Sequence, residues 1–236
     1  MNLIYRKGFQ ISNGINILIP TVGEVIDQED SYYELVQLLT AMPIDFMVQL
    51  DDIGVDFTTI TDYDLFLMLF PGISGKDTRL IFGDLDLSRF ERCINKETGM
   101  EVMYDMEDDI LIDRLVQTQI ANTLRKIHHL EKNIKKPGNE DAREYLLRRA
   151  REKAKRKRKR GGEESQLEQL ITAMVNTEQF KYDYEGTKGL SIYQFNESVR
   201  QIMKKVDYDN RMYGIYAGTV DPKKLSQDEL NWLTHK

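Results

Sequence analysis

Between about Asp108 and Gly162 the chain changes character twice, and any fold proposed for it has to place that stretch. It begins with Ile112, Val116, Ile120, Leu124, Ile127, Leu130 and Ile134, and these steps of three and four predict a helix with one apolar face. The stripe then gives way to charge. Lys136-Pro137-Gly138-Asn139 breaks the pattern, and a second helical run, Glu140 to Arg160, ends in eight residues of which seven are Lys or Arg. Gly161-Gly162 supplies a natural helix terminus. We call this stretch the stem.

The stem divides the chain's charge unevenly. Residues 1–120 carry 8 basic and 22 acidic side chains, residues 121–162 carry 16 and 5, and residues 163–236 carry 9 and 12, so an overall charge of −6 hides an acidic head, a basic stem and a nearly balanced tail. With 41% hydrophobic residues, the chain has enough apolar material for a real core. Cys93 is the single cysteine, which excludes an intramolecular disulfide and suits a reducing compartment. Residues 1–8 lack the apolar segment of a signal peptide, and no apolar run approaches the roughly 20 residues of a membrane span. The expected location is the cytoplasm, with no membrane partner.

The head opens with a β-hairpin pattern over Phe9 to Ile19, turning at Asn13-Gly14 and ending at Pro20. Thr21 is placed to cap a short helical turn, and Ser31 with Glu34 matches a capping box for a helix from about Asp30 to Ala41. Pro43 suits the first turn of another helix, with Gly54 beyond its end. Thr61 with Asp64 opens a further one, closed by Pro71-Gly72. Residues 80–82, 90–94 and 100–104 read as strands, and Gly72 to Asp77 as an exposed loop. Beyond the stem, Ser165 to Asn176 and Ser191 to Val206 are amphipathic helices separated by a Gly186 to Gly189 linker. Tyr208 to Tyr216 follows, and Ser226 with Glu229 forms a last capping-box pattern ahead of Trp232. The expected fold class is α+β, predominantly α-helical: an acidic head over 1–106 with an N-terminal β-hairpin and short helices, a central long basic helical stem over 107–162, and a small C-terminal helical module over 163–236.

No catalytic constellation emerges. Gly72-Ile73-Ser74-Gly75-Lys76-Asp77-Thr78 resembles part of a phosphate-binding loop, but two residues separate its glycines where four are needed. The acidic groups Asp51-Asp52, Asp84/Asp86 and Glu107-Asp108-Asp109 complete no calcium loop and read as solvated turns and helix ends. His128 and His129 are adjacent, which on a helix turns them about 100° apart and away from a shared metal. A Cys93–histidine nucleophilic pair has no second signal behind it. The expectation is a protein that is no enzyme and holds neither metal nor cofactor. The basic run over Lys153 to Arg160 is the strongest electrostatic feature: it suits an acidic protein surface, a second copy's head, or nucleic-acid phosphates, and no aromatic residue interleaves it for base stacking.

The order of several segments resembles a protein family of tailed phages and prophages of Gram-positive bacteria. These segments are Ile19-Pro20-Thr21-Val22-Gly23-Glu24-Val25-Ile26 with the Tyr32-Tyr33 helix, Phe66 to Phe70, and Leu80-Ile81-Phe82-Gly83-Asp84-Leu85-Asp86. They continue in Leu190 to Phe195, Tyr213 to Gly218 and Leu230 to Leu233. They cover head and tail and leave the stem unmatched. The family is the tail assembly chaperones, encoded between the tail-tube and tape-measure genes. The resemblance implies a non-enzymatic protein that binds the tape-measure protein, keeps it soluble and promotes polymerisation of tail-tube subunits around it. The residues expected to meet a partner are Leu124, Ile127 and Leu130 on the apolar stripe and Lys155, Arg156, Arg158 and Arg160 on the basic run. Self-association is a further expectation. The alternatives are a structural tail or baseplate component retained in the virion, and a nucleic-acid-binding protein that uses the stem.

Overall fold

In a computed structural model of the chain, residues 2–159 and 165–233 are described. The chain is α+β and predominantly helical. Strands β1 (Gly8–Ser12) and β2 (Ile15–Leu18) pair antiparallel, with Phe9 opposite Ile17. Gly14 turns the hairpin at φ 75, and a Cβ there would also meet the Ile110 side chain at 2.4 Å, so both backbone and packing require glycine. Ile15 and Ile17 point inward and are fully buried.

Thr21 then caps α1 (Val22–Ile26) in a reciprocal capping box with Glu24. Helix α2 (Glu29–Thr40) starts two residues ahead of the expected Ser31 cap: Gln28 stands at the cap, and Glu29 and Asp30 supply the first-turn negative charge. A 3₁₀ turn over Pro43–Phe46 leads into α3 (Met47–Asp52). Thr61 and Asp64 form the box that opens α4 (Asp62–Ser74). This helix runs through Pro71 rather than stopping there, because its extra turn places Ile73 in the core with no exposure.

Two expectations in this part of the head are corrected. Residues 80–82 belong to a helical turn, α5 (Arg79–Phe82), not a strand: the Phe82 amide returns to the Thr78 carbonyl at 2.8 Å, and Gly83 at φ 66 ends the turn. Gly72 to Ser74, expected in a loop, are helical. Strands β3 (Glu91–Ile94), β4 (Glu101–Asp105) and β5 (Ile110–Ile112) then form an antiparallel meander. The third strand was not foreseen, and Ile112 therefore lies on a strand instead of the stem's helix.

The apolar stripe forms α6 (Arg114–His128), capped by Asp113 accepting from the Val116 amide at 2.8 Å. The helix ends earlier than its sequence period. His129 adopts the left-handed conformation at φ 52, and the Leu130 amide folds back to the Arg125 carbonyl at 2.8 Å. Residues 129–139 form an extended strap held to the head by Lys132 on Asp62 at 3.0 Å and by Asn133 on Asp45 at 3.1 Å. Leu130 and Ile134 therefore lie off the helix face.

Helix α7 (Glu140–Lys159) follows, and the Gly161-Gly162 terminus lies outside the described residues. Helices α8 (Gln166–Val175), α9 (Tyr184–Lys188) and α10 (Ile192–Tyr216) complete the fold. The expected Gly186–Gly189 linker is mostly α9, because Asp183 accepts from the Gly186 amide at 2.7 Å and caps a turn there. The two expected helices after Ser191 are one continuous helix. The Ser226–Glu229 box does form, with the Glu229 carboxylate 2.8 Å from the Ser226 amide, but only a turn follows it.

A single apolar core runs from Leu3 through the hairpin, α1, α2, α4, β4, β5, α6 and α8 to Phe195 of α10. Backbone hydrogen bonds tie its ends together: the Val22 amide reaches the Leu190 carbonyl and the Ile192 amide reaches the Pro20 carbonyl, both at 2.8 Å. A smaller cluster of Ala41, Ile44, Leu50, Phe57, Leu65 and Leu147 joins α7 to the head. The apolar core crosses the expected boundaries at 106/107 and 162/163.

Candidate partner-binding surfaces

Several of the polar clusters that offered chemistry in the sequence are occupied by the chain's own cations, while Asp86 accepts from Ser88 and Asp109 from the Tyr104 hydroxyl. Lys76 of the loop-like segment pairs with Glu34 at 2.6 Å. Arg89 gathers Asp105 at 2.7 Å, Glu107 at 3.0 Å and Asp108, so these carboxylates surround a guanidinium. Asp105 is fully buried, and its other oxygen accepts from the Glu107 amide at 2.9 Å. Among the described residues no group of histidine, cysteine and carboxylates could hold a metal ion.

The two histidines face different neighbours. His128 Nε2 lies 3.0 Å from the Tyr32 hydroxyl, and burial pulls the imidazole down from its ordinary 6.5 to about 4, with His129 adding to the shift. Burial raises Tyr32 well above the phenol range, and the pair is neutral at physiological pH. His129 instead meets Glu197 of α10 at 3.2 Å. Cys93 is a free thiol on β3, opposite Val102.

The residues expected to bind a partner are scattered. Leu124 and Ile127 are fully buried in the core, so the face they form is already covered by the chain itself. Leu130 is 45% exposed on the strap. Lys155 and Arg156 are exposed on α7, and the Arg158 side chain and Arg160 lie outside the described residues.

Helix α7 has an anchored face and an open one. Arg143, Leu147 and Arg151, at steps of four, face the head. Arg151 reaches Asp51 and Asp52, both at 2.7 Å, and Arg143 reaches Asp51 at 3.5 Å and Asp56 at 3.3 Å. Leu147 is buried between them, and the Arg143 guanidinium lies 5.8 Å from the centre of the Phe57 ring. The Asp51-Asp52 pair, expected to be a solvated helix end, is the docking point for the stem.

A surface the sequence reading missed lies on α10. The helix buries Ile192 and Phe195 and packs Val199 and Ile202 against the core. Past that point it leaves the core while its pattern continues. Val199, Met203, Val206, Asn210, Tyr213 and Ala217 follow steps of four and three, the spacing of a coiled-coil seam. Met203 is 63% exposed, Val206 40% and Tyr213 73%. Residues 222–233 fold back along a different side, where Trp232 lies near Lys205, Tyr208 and Arg211, and leave the seam open. The four-three spacing was visible in the sequence; that the core ends at Phe195 was not.

A family model described as YomV second domain matches residues 155–236. It represents a phage-derived family, YomV coming from a Bacillus prophage, and the match fits a phage protein. The YomV second-domain match takes in the open end of α7 and all of α8, α9 and α10. No curated protein and no solved structure matches the chain. No helix among the described residues is long and apolar enough to cross a membrane.

Proposed function

We propose that this chain is a non-enzymatic assembly protein of a phage tail, which seats an apolar helical segment of the tape-measure protein on the open seam of α10 while tail-tube subunits polymerise. The carrying observation is the exposed run of Met203, Val206 and Tyr213, which extends a face buried at Phe195 and half-buried at Val199. A seam of that spacing is complementary to another helix with an apolar residue every three or four positions. The family match over this region supports the phage origin in this reading, and the tail-assembly role rests on the resemblance of head and tail to tail assembly chaperones. In it, the protein acts in the host cytoplasm and leaves before the particle matures.

The test is co-expression with the tape-measure and tail-tube proteins of the same phage, followed by nuclease-treated pull-down. V206E/Y213E, placed outside the core, is expected to abolish recovery of the tape-measure protein without changing the melting temperature. Undiminished recovery by that variant overturns the α10 site. Loss of self-association instead of tape-measure binding assigns the seam to a second copy. Detection of the chain in purified mature particles by mass analysis replaces the chaperone reading with a structural tail component.

A further inference from the structure

The cations of α7 divide into two sets with different roles. Arg143 and Arg151 are consumed in holding the helix to Asp51, Asp52 and Asp56. Arg149, Lys153 and Arg156, at steps of four and three, form a ridge on the opposite side of the helix. All three are exposed, and no ion-pair or hydrogen-bond partner appears for any of them among the described residues. Beyond Arg151 the helix continues to Lys159, about 12 Å at 1.5 Å per residue.

The composition of this free end separates two kinds of acidic partner. A folded protein surface needs an apolar centre to its interface, with charges arranged at the rim. Between Glu152 and Lys159 the only apolar side chain is Ala154, and the one exposed aromatic near the ridge is Tyr145, a turn before Arg149, so such an interface would have little to bury. A nucleic-acid backbone needs no apolar area, because displacing condensed counterions from its phosphates supplies the free energy. The acidic head works in the same direction as an orienting device: it repels a polyanion from residues 1–120 and leaves the projecting helix as the approachable part.

We infer that the ridge of Arg149, Lys153 and Arg156 is a sequence-independent binding site for the phosphate backbone of nucleic acid. The three side chains include no aromatic ring for base stacking. It is separate from the α10 seam and does not depend on the role proposed for it.

The experiment is fluorescence anisotropy of the full chain with a labelled duplex of ~20 base pairs, titrated from ~20 mM to ~200 mM salt. The expected result is binding at low salt that falls steeply as salt rises. R149E/K153E/R156E should weaken binding at least tenfold at the lowest salt. R149Q/K153Q/R156Q should flatten the plot of log affinity against log salt by about 2.7, three phosphates at ~0.9 each. Each variant is checked by melting temperature, which exposed side chains should leave unchanged. K223E/K224E alters charge on an exposed turn elsewhere and should bind like the parent. No binding at the lowest salt, full binding by the triple reversal, or equal loss in K223E/K224E each overturns the site. Poly-glutamate competing as well as the duplex at matched charge overturns nucleic acid in favour of an acidic protein partner.

Discussion

Helices α6 and α7 come from one stretch of sequence and are held in opposite ways. In α6 the residues Ile120, Leu124 and Ile127 are buried at 2% exposure or less, and the helix lies against α2, α4 and α10. In α7 one leucine, Leu147, is buried, and ion pairs on either side of it set the register against α3. Burial of apolar area is not screened by salt and is roughly proportional to the area removed from water. Partly exposed ion pairs contribute little each, and salt weakens them. The chain thus uses a helix it cannot lose to build the core and one it can release to carry positive charge outward.

The sharpest way to break this contrast is Leu124→Ala. Removing a fully buried side chain at the centre of the core is expected to cost ~3–4 kcal/mol and lower the melting temperature by about 10 °C. A loss below ~1 kcal/mol would mean that α6 is not the central support.

His128, at the end of α6, should add a pH dependence to the stability of the core. Its folded-state value of about 4 lies below its ordinary 6.5, so the folded chain binds fewer protons than the unfolded one. Its contribution is fully present above about pH 6.5 and is lost as pH falls toward 4. Allowing for its partial exposure, the loss amounts to about 2 kcal/mol. Urea melts between pH 7 and pH 4 should show this slope in the parent and a reduced one in His128→Gln.

The comparison also shows which parts of the fold could be read from sequence. Local chemistry was legible: Asn13-Gly14 turns the hairpin, and the boxes Thr21/Glu24 and Thr61/Asp64 open their helices as their spacing implies. The apolar period of α6 was legible too, but not its end. Leu130 and Ile134 kept the period after the backbone had left it, because a left-handed histidine has no signature comparable to glycine. The anchor of α7 was hidden for a different reason. Arg151 and Asp51 lie a hundred positions apart, and each reads as an ordinary surface charge until the fold brings them together. For the residues expected to meet a partner, periodicity reports that a face is apolar, and only the tertiary structure reports whether the chain covers that face itself, as at Leu124, or leaves it open, as at Tyr213.

Leu147→Ala tests the second half of the contrast. The expected loss is ~2 kcal/mol, confined to the attachment of α7. Hydrogen exchange of the α7 amides should accelerate by more than tenfold while those of α6 keep their protection. Equal acceleration in both helices would show that they unfold as one unit.

The smallest effect belongs to the ion pairs themselves. Asp51→Asn removes the acceptor shared by Arg151 at 2.7 Å and Arg143 at 3.5 Å, and all three side chains are partly exposed. Screening by solvent limits the expected loss to ~0.5 kcal/mol, visible in the exchange of the α7 amides and absent from the global melt. In ~1 M salt, where the screening length is about 3 Å, parent and variant should become indistinguishable. A difference that persists there would mean that Asp51 acts by shaping the α3 end and not by charge, and the contrast would narrow to one between two helices each held by packing.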